Sequence, residues 1–405
     1  MKRVVAAALL LLTAAGSAAA QDRVVVRSEP GTPVVAAEVL IAAGPADEAE
    51  GREGIAYLTA RAVTAPILPV LDSLAAHLAV EQHRDGVSFT VTAAPDNWEQ
   101  ATRVLLVALF RDPVDSVAVM RQRAATVAEL RAREASPADA LAREIDAAVF
   151  GTEHPWGRPA VGSARTVGRI TVRQVDAFLR EAFTADRAVV AIVGPVREDA
   201  ASLPGAFMEP GPLRIAAVEP AEVAREAVRR QYDAITAWAA AVYPFGPDAD
   251  EEALGMLSRL ALDRVSFGLL RPQVYDARVS LVRHRAGGEL RLQMVVPPGE
   301  VEEWGRRLAE AVAAYGRAPL EEREFAERLR RYRGLRLLEL DTPEARARLL
   351  ARRALLGGPA GALTDVDRLT PERLQAAAAA LGRPVLVFLG PFVEDDGAPP
   401  PEPSR

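Results

Sequence analysis

Hydrophobic and polar positions along the chain fall into two kinds of pattern. Continuous apolar runs that end in turn residues, at 187–195 and 383–391, are typical of buried strands. Residues 87–93 alternate with a period of two, which predicts a half-buried strand. Strands and helical stretches occur in groups rather than in strict alternation, and this arrangement predicts an α+β fold.

The same patterns predict the elements of both halves of the chain. In the first half, strands are expected at 24–27, 33–43 and 87–93, and helices at 54–63, 70–80, 98–110 and 115–150. In the second half, strands are expected at 229–242, 275–283 and 290–296, and helices at 250–260, 301–315, 320–340 and 343–356.

The two apolar runs also form an internal repeat. Each begins with Arg and ends in Gly-Pro, and each follows a helix that opens with a Thr N-cap, Thr171 or Thr370. A repeat of this length indicates a duplicated domain. The predicted limits are 21–203 for the first domain, 204–226 for a Pro- and Gly-rich linker, 227–393 for the second domain and 394–405 for a disordered Pro-rich tail.

The N-terminus predicts export. Lys2 and Arg3 precede an apolar stretch at 4–13 and small residues at 17–20, which is the pattern of a signal peptide covering 1–20. A periplasmic or secreted protein is therefore expected. No later segment is expected to be long and apolar enough to span a bilayer.

Composition excludes several kinds of chemistry. The chain has 405 residues and a net charge of −6, whereas a nucleic-acid-binding domain is usually basic. Lys2 is the only lysine and there is no cysteine, so Schiff-base, thiolate and disulfide chemistry are excluded for the mature chain.

Several short motifs carry a family resemblance. They are Ile-Ala-Ala-Gly at 41–44, an acidic stretch ending at Glu50, Gly-Ile-Ala at 54–56, His-Pro-Trp-Gly-Arg-Pro at 154–159 and the repeated Gly-Pro strand ends. In order and spacing they resemble the pitrilysin/insulinase-like zinc peptidases, which include the mitochondrial processing peptidase. The resemblance covers nearly the whole mature chain. It implies two homologous domains, each a mostly antiparallel sheet packed against helices.

The resemblance places a zinc site on the helix that follows Gly54. The family has H-x-x-E-H there, whose two imidazoles share one ion and whose carboxylate activates water. The matching positions here are Tyr57, Ala60 and Arg61. The third ligand falls on Glu129, and Gln122 replaces an acidic residue seven positions earlier. This pattern predicts a degenerate site with no catalytic residue, no metal and no cofactor.

Two further predictions concern side chains at this site and elsewhere. Arg61 is expected to lie where the metal would be and to form a buried ion pair with Glu129. His77 and Glu81 are four residues apart at a predicted helix end, with His83 in the following loop, and we interpret them as polar surface rather than as a metal site.

A substrate contact is predicted from the second domain. Family members hold substrate with an Arg and a Tyr, and residues 269–275 resemble that segment at Arg271 and Tyr275. The spacing is shortened and Pro272 departs from the pattern. The alternative is a helix end that leads into a strand.

The favoured hypothesis is a non-catalytic subunit. It would pair, as a heterodimer, with an active zinc-bearing homologue and enclose a chamber in which peptides are degraded. Peptide would bind as a strand added to a sheet edge. Two alternatives stay open: an independent zinc metalloendopeptidase with ligands elsewhere in the chain, and a peptide-binding scaffold of the envelope.

Overall fold

A computed structural model describes residues 23–208, 211–219, 221, 223, 226–266, 274–358 and 363–392. The predicted signal peptide, the Pro-rich tail from 394 and Arg271 lie outside these ranges. Elements of the first half are β1 (Val24–Ser28), β2 (Val35–Ile41), α1 (Ile55–Thr64), α2 (Leu68–Ser73), β3 (His77–Gln82), β4 (Val87–Ala93), α3 (Trp98–Phe110), α4 (Ser116–Glu134), α5 (Pro137–Phe150), α6 (Ala164–Arg169), α7 (Val172–Ala182), β5 (Ala188–Gly194) and α8 (Ser202–Gly205).

The second half repeats this order of strands and helices. Its elements are β6 (Val228–Gln231), β7 (Ala237–Phe245), α9 (Glu251–Ser266), β8 (Asp276–His284), β9 (Gly287–Val296), α10 (Val301–Arg317), α11 (Glu322–Glu339), α12 (Pro343–Leu355), α13 (Pro371–Leu381) and β10 (Val385–Gly390).

The two sheets have the same topology. The first is ordered β1-β5-β2-β4-β3 and the second β6-β10-β7-β9-β8, with only the first pair of each parallel. The repeated apolar runs are β5 and β10, at equivalent places. The helices before them, α7 and α13, are capped by Thr171 and Thr370. The two hydroxyls accept hydrogen bonds from the backbone N–H groups of Gln174 and Arg373. The predicted α+β fold with two homologous, mostly antiparallel sheets is confirmed.

Each half covers the outer face of the other half's sheet with one helix. On the first sheet, Ala36 and Leu40 of β2 pack with Leu350 of α12, while the opposite face of β2 packs in the first half's own core. In return, Ile145 of α5 packs with Val387 of β10 in the second sheet. Both faces of the central strands are therefore buried, which explains why these strands are continuously apolar.

A ring of four charged side chains joins the halves. Arg84, in the β3–β4 turn, bonds Asp146 of α5 at 2.5 Å and Glu289 of β9 at 2.6 Å. Arg291 bonds the same two carboxylates at 2.6 and 2.5 Å. Glu289 is fully buried. Burial alone would raise its pKa, but His284 and the two guanidinium groups outweigh burial and lower that pKa to about 2.

Two predicted elements were wrong. Residues 70–80 are not one helix, because α2 ends at Ser73 and, after a turn with Ala75 at φ 50°, His77 begins a strand paired with β4. His77 and Glu81 therefore lie in an extended chain, where four residues span roughly 13 Å, too far to share one ion. Residues 115–150 form two helices, because Ser136 caps α5 and Pro137 occupies its first turn.

The expectation that no later segment is long and apolar enough to span a bilayer was also wrong. The stretch Ile55–Ser73 is 19 residues long with a mean hydropathy of 1.2, which is sufficient for a span. Half of this stretch is buried inside the protein, and Leu58 of α1 lies in the core of the first half. A buried core helix has the same composition, so this stretch is weak support for a membrane segment.

Replacing Leu350 by Ala should test the exchange of helices. Leu350 is 1% exposed against the first sheet, so truncation should lower the free energy of unfolding by about 2–5 kcal/mol. Leu338→Ala is the matched control, because Leu338 is 73% exposed and its truncation should cost under about 0.5 kcal/mol. Urea unfolding of the full chain measures both. Equal losses would contradict this packing.

The charged ring predicts a pH dependence. Since Glu289 has a folded pKa of about 2 and an ordinary value of 4.5, its stabilisation is complete above pH 4.5 and is lost as the pH falls towards 2. That window corresponds to about 3 kcal/mol of unfolding free energy. Glu289→Gln should remove this slope and lower stability at neutral pH, while the exposed Glu327→Gln should keep it. A variant curve parallel to the wild type would refute the assignment.

Candidate functional site: the place of a metal centre

A buried carboxylate fixes the start of α1. Glu48 accepts hydrogen bonds from the backbone N–H groups of Gly54 and Ala56, both at 3.0 Å. Gly54 has φ 89°, and a Cβ there would lie 2.4 Å from the carbonyl oxygen of Val161. Burial raises the pKa of Glu48 to about 7 although both N–H groups favour the ionised form. The Gly-Ile-Ala motif thus has a structural role in this chain, because it lets the backbone pack closely and be capped by Glu48.

Three side chains meet between α1 and α4 where the sequence predicts a lost zinc site. Arg61 forms an ion pair with Glu129 through Nη1 and donates from the same atom to the Tyr57 hydroxyl at 3.0 Å. The Tyr57 hydroxyl donates to Glu129 at 3.1 Å. Arg61 Nε also approaches the Gln122 side-chain oxygen at 3.4 Å. We call Tyr57, Arg61 and Glu129 the Tyr-Arg-Glu cluster.

Helical spacing explains the Tyr-Arg-Glu cluster. Tyr57 and Arg61 are four residues apart on α1 and present their side chains on the same face, towards α4. Gln122 and Glu129 are seven apart on α4, which again places them on one face. Ala60 is fully buried in the core and makes no part of the cluster.

The predicted ion pair is present but is not buried. The Arg61 side chain is 26% exposed and that of Glu129 is 38% exposed. The pair lies between α1 and α4 and is partly open to solvent, so water screens it. A partly exposed pair of this kind contributes only about 0–1 kcal/mol to stability.

The electrostatics of the Tyr-Arg-Glu cluster disfavour a cation. Burial and the nearby Glu129 carboxylate raise the pKa of the Tyr57 hydroxyl, so it stays a neutral phenol. Burial lowers the pKa of Arg61, but its bonds to Glu129 and Tyr57 outweigh this and leave that pKa raised. The only carboxylate of the cluster, that of Glu129, is therefore already paired with a permanent positive charge. Across the described residues, no group of three or more His, Cys, Asp or Glu side chains is placed to hold a metal ion.

The predicted substrate contacts are not joined to the cluster. Tyr275 lies just before β8, where its backbone N–H bonds the Val295 carbonyl at 2.9 Å and its side chain is 63% exposed. Within the described ranges, no hydrogen bond or ring contact links Tyr275 to Tyr57, Arg61 or Glu129. Arg271 is outside those ranges, so the substrate role of the two residues stays a prediction.

Sequence reasoning missed part of the site. It treated Tyr57 as a lost ligand, whereas the hydroxyl bridges Arg61 and Glu129. The i, i+4 spacing of a hydroxyl and a guanidinium could have indicated this contact. No comparable sequence pattern indicates the cap by Glu48, because Glu48 lies six to eight residues before the N–H groups that it accepts from.

Comparisons with known proteins define the class of fold. No protein-family model and no curated protein matches the chain. A solved structure described as a peptidase M16 inactive domain from Pseudomonas fluorescens has a TM-score of 0.80 at 19% identity, covering 91% of this chain and 96% of that one. A protease from Helicobacter pylori has a TM-score of 0.76 at 15% identity, covering 90% and 96%.

A third similar structure is a chain of Complex III2 from Candida albicans. Its TM-score is 0.77 at 14% identity, and the alignment covers 91% of this chain and 93% of that one. At these identities the likeness concerns the fold, which is the two-domain architecture of M16 peptidases. The resemblance inferred from the motifs is thus supported at the level of a pitrilysin-like fold.

A double substitution should create a metal site from the cluster. In Tyr57→His with Arg61→His, two imidazoles would replace the phenol and the cation beside Glu129, giving three protein ligands. We expect about one Zn²⁺ per chain by isothermal titration calorimetry, where the wild type binds none in stoichiometric amount. Adding Glu129→Gln should weaken binding by about tenfold or more. Equal zinc binding with and without Glu129 would contradict the proposed geometry.

Proposed function

We propose that this chain is the non-catalytic subunit of an exported peptidase of the pitrilysin/insulinase type. It acts with an active homologue that supplies zinc and the general base. The observation that carries the proposal is the Tyr-Arg-Glu cluster. A neutral phenol and a guanidinium occupy the ligand positions, and the surviving carboxylate is already bonded to both.

Exposed apolar side chains on α2 and at the start of α4, the helix that carries Glu129, support a partner. Leu68 and Val70 of α2 are each 43% exposed, and Val117 and Met120 of α4 are 54% and 49% exposed. We call these four residues the α2–α4 patch. They are half of the large hydrophobic side chains that are exposed in the described part of the chain. Exposed large apolar side chains form protein interfaces where they make a continuous patch, and we propose that these four do so.

Peptide binding is proposed at an edge of the first sheet. β3 is an edge strand that pairs only with β4, so its other side offers unpaired backbone groups. The chain would then contribute walls and a peptide surface, and the partner would contribute the chemistry. A periplasmic or secreted location remains part of this proposal.

Reconstitution tests the proposal. The purified chain should hold no stoichiometric zinc and should not cleave unfolded peptides. Mixing with a homologue that carries H-x-x-E-H should give a one-to-one complex by light scattering, with cleavage that a chelator abolishes. Val117→Asp with Met120→Asp should weaken pairing about tenfold or more, since buried charge without a partner is costly. Ile235→Asp, at a position 94% exposed and outside the α2–α4 patch, is the control.

Each alternative predicts a different result. An independent metalloendopeptidase predicts stoichiometric zinc and chelator-sensitive cleavage by the chain alone. An envelope scaffold predicts peptide binding without turnover in any mixture. Stoichiometric zinc in the wild-type chain that is still bound in the Glu129→Gln variant would overturn the proposed function.

A further inference from the structure

A cavity with charged and apolar lining residues lies between the two halves, on the face of the first sheet opposite the Tyr-Arg-Glu cluster. Its volume is about 550 Å³, within the range of small-molecule sites. Glu38 and Ser88 line it from the first sheet, and Arg348 and Arg352 line it from α12. Arg283 of β8 closes another side. Because both halves contribute, only the assembled chain has this cavity.

Most charges in the cavity wall are already neutralised. Arg84 and Arg291 belong to the charged ring with Asp146 and Glu289. Arg348 bonds Glu81 at 3.1 Å. These pairs leave their guanidinium groups little capacity for a ligand.

Two guanidinium groups in the wall, those of Arg283 and Arg352, are only partly paired, because Glu251 and Asp85 attract Arg352 without bonding it. Across the described residues, no side chain or carbonyl accepts a hydrogen bond from the Arg352 guanidinium. Arg283 forms an ion pair with Glu251 at 3.7 Å and donates from Nη2 to the Pro247 carbonyl at 3.2 Å, but its Nε and Nη1 are buried without a hydrogen-bond partner. Burial lowers the pKa of Arg352, Glu251 and Asp85 oppose this shift in part, and repulsion from the nearby Arg283 adds to the lowering. An anion between them would relieve that repulsion and satisfy the unpaired donors.

Glu38, a carboxyl group of the first sheet that lines the cavity, does not supply that anion. Glu38 is 1% exposed and accepts a hydrogen bond from the Thr90 hydroxyl. Burial raises the pKa of Glu38 to about 7, so it is largely neutral under weakly acidic conditions. Asp85 bonds the Arg285 backbone N–H at 2.9 Å and is held at that turn.

Other wall atoms suit a polar ligand. Ser88 lies 3.1 Å from His83 Nε2, and both face the cavity as possible donors. The side-chain oxygen of Gln82 and one carboxylate oxygen of Asp85 are buried in the wall without a hydrogen-bond partner. A ligand with both acceptor and donor groups would satisfy them.

We propose that this cavity binds a compact oxyanion, a small molecule bearing a carboxylate or a phosphate, between Arg283 and Arg352. A guanidinium holds such a group with two parallel hydrogen bonds. The ligand would bridge α12, β8 and the first sheet, and so would stabilise the contact between the halves. This binding does not depend on a partner chain or on peptide cleavage.

Calorimetric titration of the full chain tests the proposal, with inorganic phosphate and succinate as separate probes. Sodium chloride at equal ionic strength controls for screening. We expect saturable binding of at least one probe at one site per chain. The probe that binds shows whether the site prefers a phosphate or a carboxylate. Arg352→Gln should weaken its binding about tenfold or more, since a charge-assisted bond is lost. Arg307→Gln, at a surface pair with Glu303, should leave it unchanged.

A second variant keeps the test decisive where Arg352→Gln does not fold. Arg352→Lys retains the positive charge but not the planar pair of donors, so it should bind more weakly than the wild type. Circular dichroism confirms that each variant is folded. Absence of saturable binding of both probes to the wild type overturns the proposal, as does wild-type affinity in a folded Arg352 variant.

Discussion

Burial of both faces of each sheet is the constraint on which the structure depends. Neither half can cover its outer sheet face alone, so α5 and α12 cross to the opposite half. The exchange removes apolar strand surface from water and makes one folding unit of two similar domains. It also forces polar turns of both halves together, and the ring formed by Arg84, Asp146, Glu289 and Arg291 satisfies the charges buried there.

The place where the family resemblance predicts a lost metal site has a definite helix geometry. The spacing of Tyr57 and Arg61 on α1 and the approach of Glu129 from α4 still bring three side chains together. The atoms that meet are a hydroxyl, a guanidinium and a carboxylate, which satisfy one another. The guanidinium takes the electrostatic place of a cation, so α1 and α4 keep an attractive contact without an ion.

The two faces of the first sheet have different roles in this picture. The α1 side carries the Tyr-Arg-Glu cluster, and we propose that a partner binds the α2–α4 patch. The α12 side carries the cavity with Arg283 and Arg352, which only the second half can complete. A ligand there would act on the contact between halves rather than on the surface proposed for the partner.

The sequence by itself determined the elements with strong local patterns. The apolar runs that became β5 and β10 and the capped helices at Thr171 and Thr370 follow from spacing within a strand or helix. The contact between Arg61 and Glu129 joins two helices and was predicted only through the family resemblance. The tertiary structure decided the rest. Residues 77–82 form a strand because β4 offers a partner, and the charged ring and the cavity join residues about 60 to 270 positions apart. Local patterns carry no information about such contacts, since these depend on how the sheets and crossing helices pack.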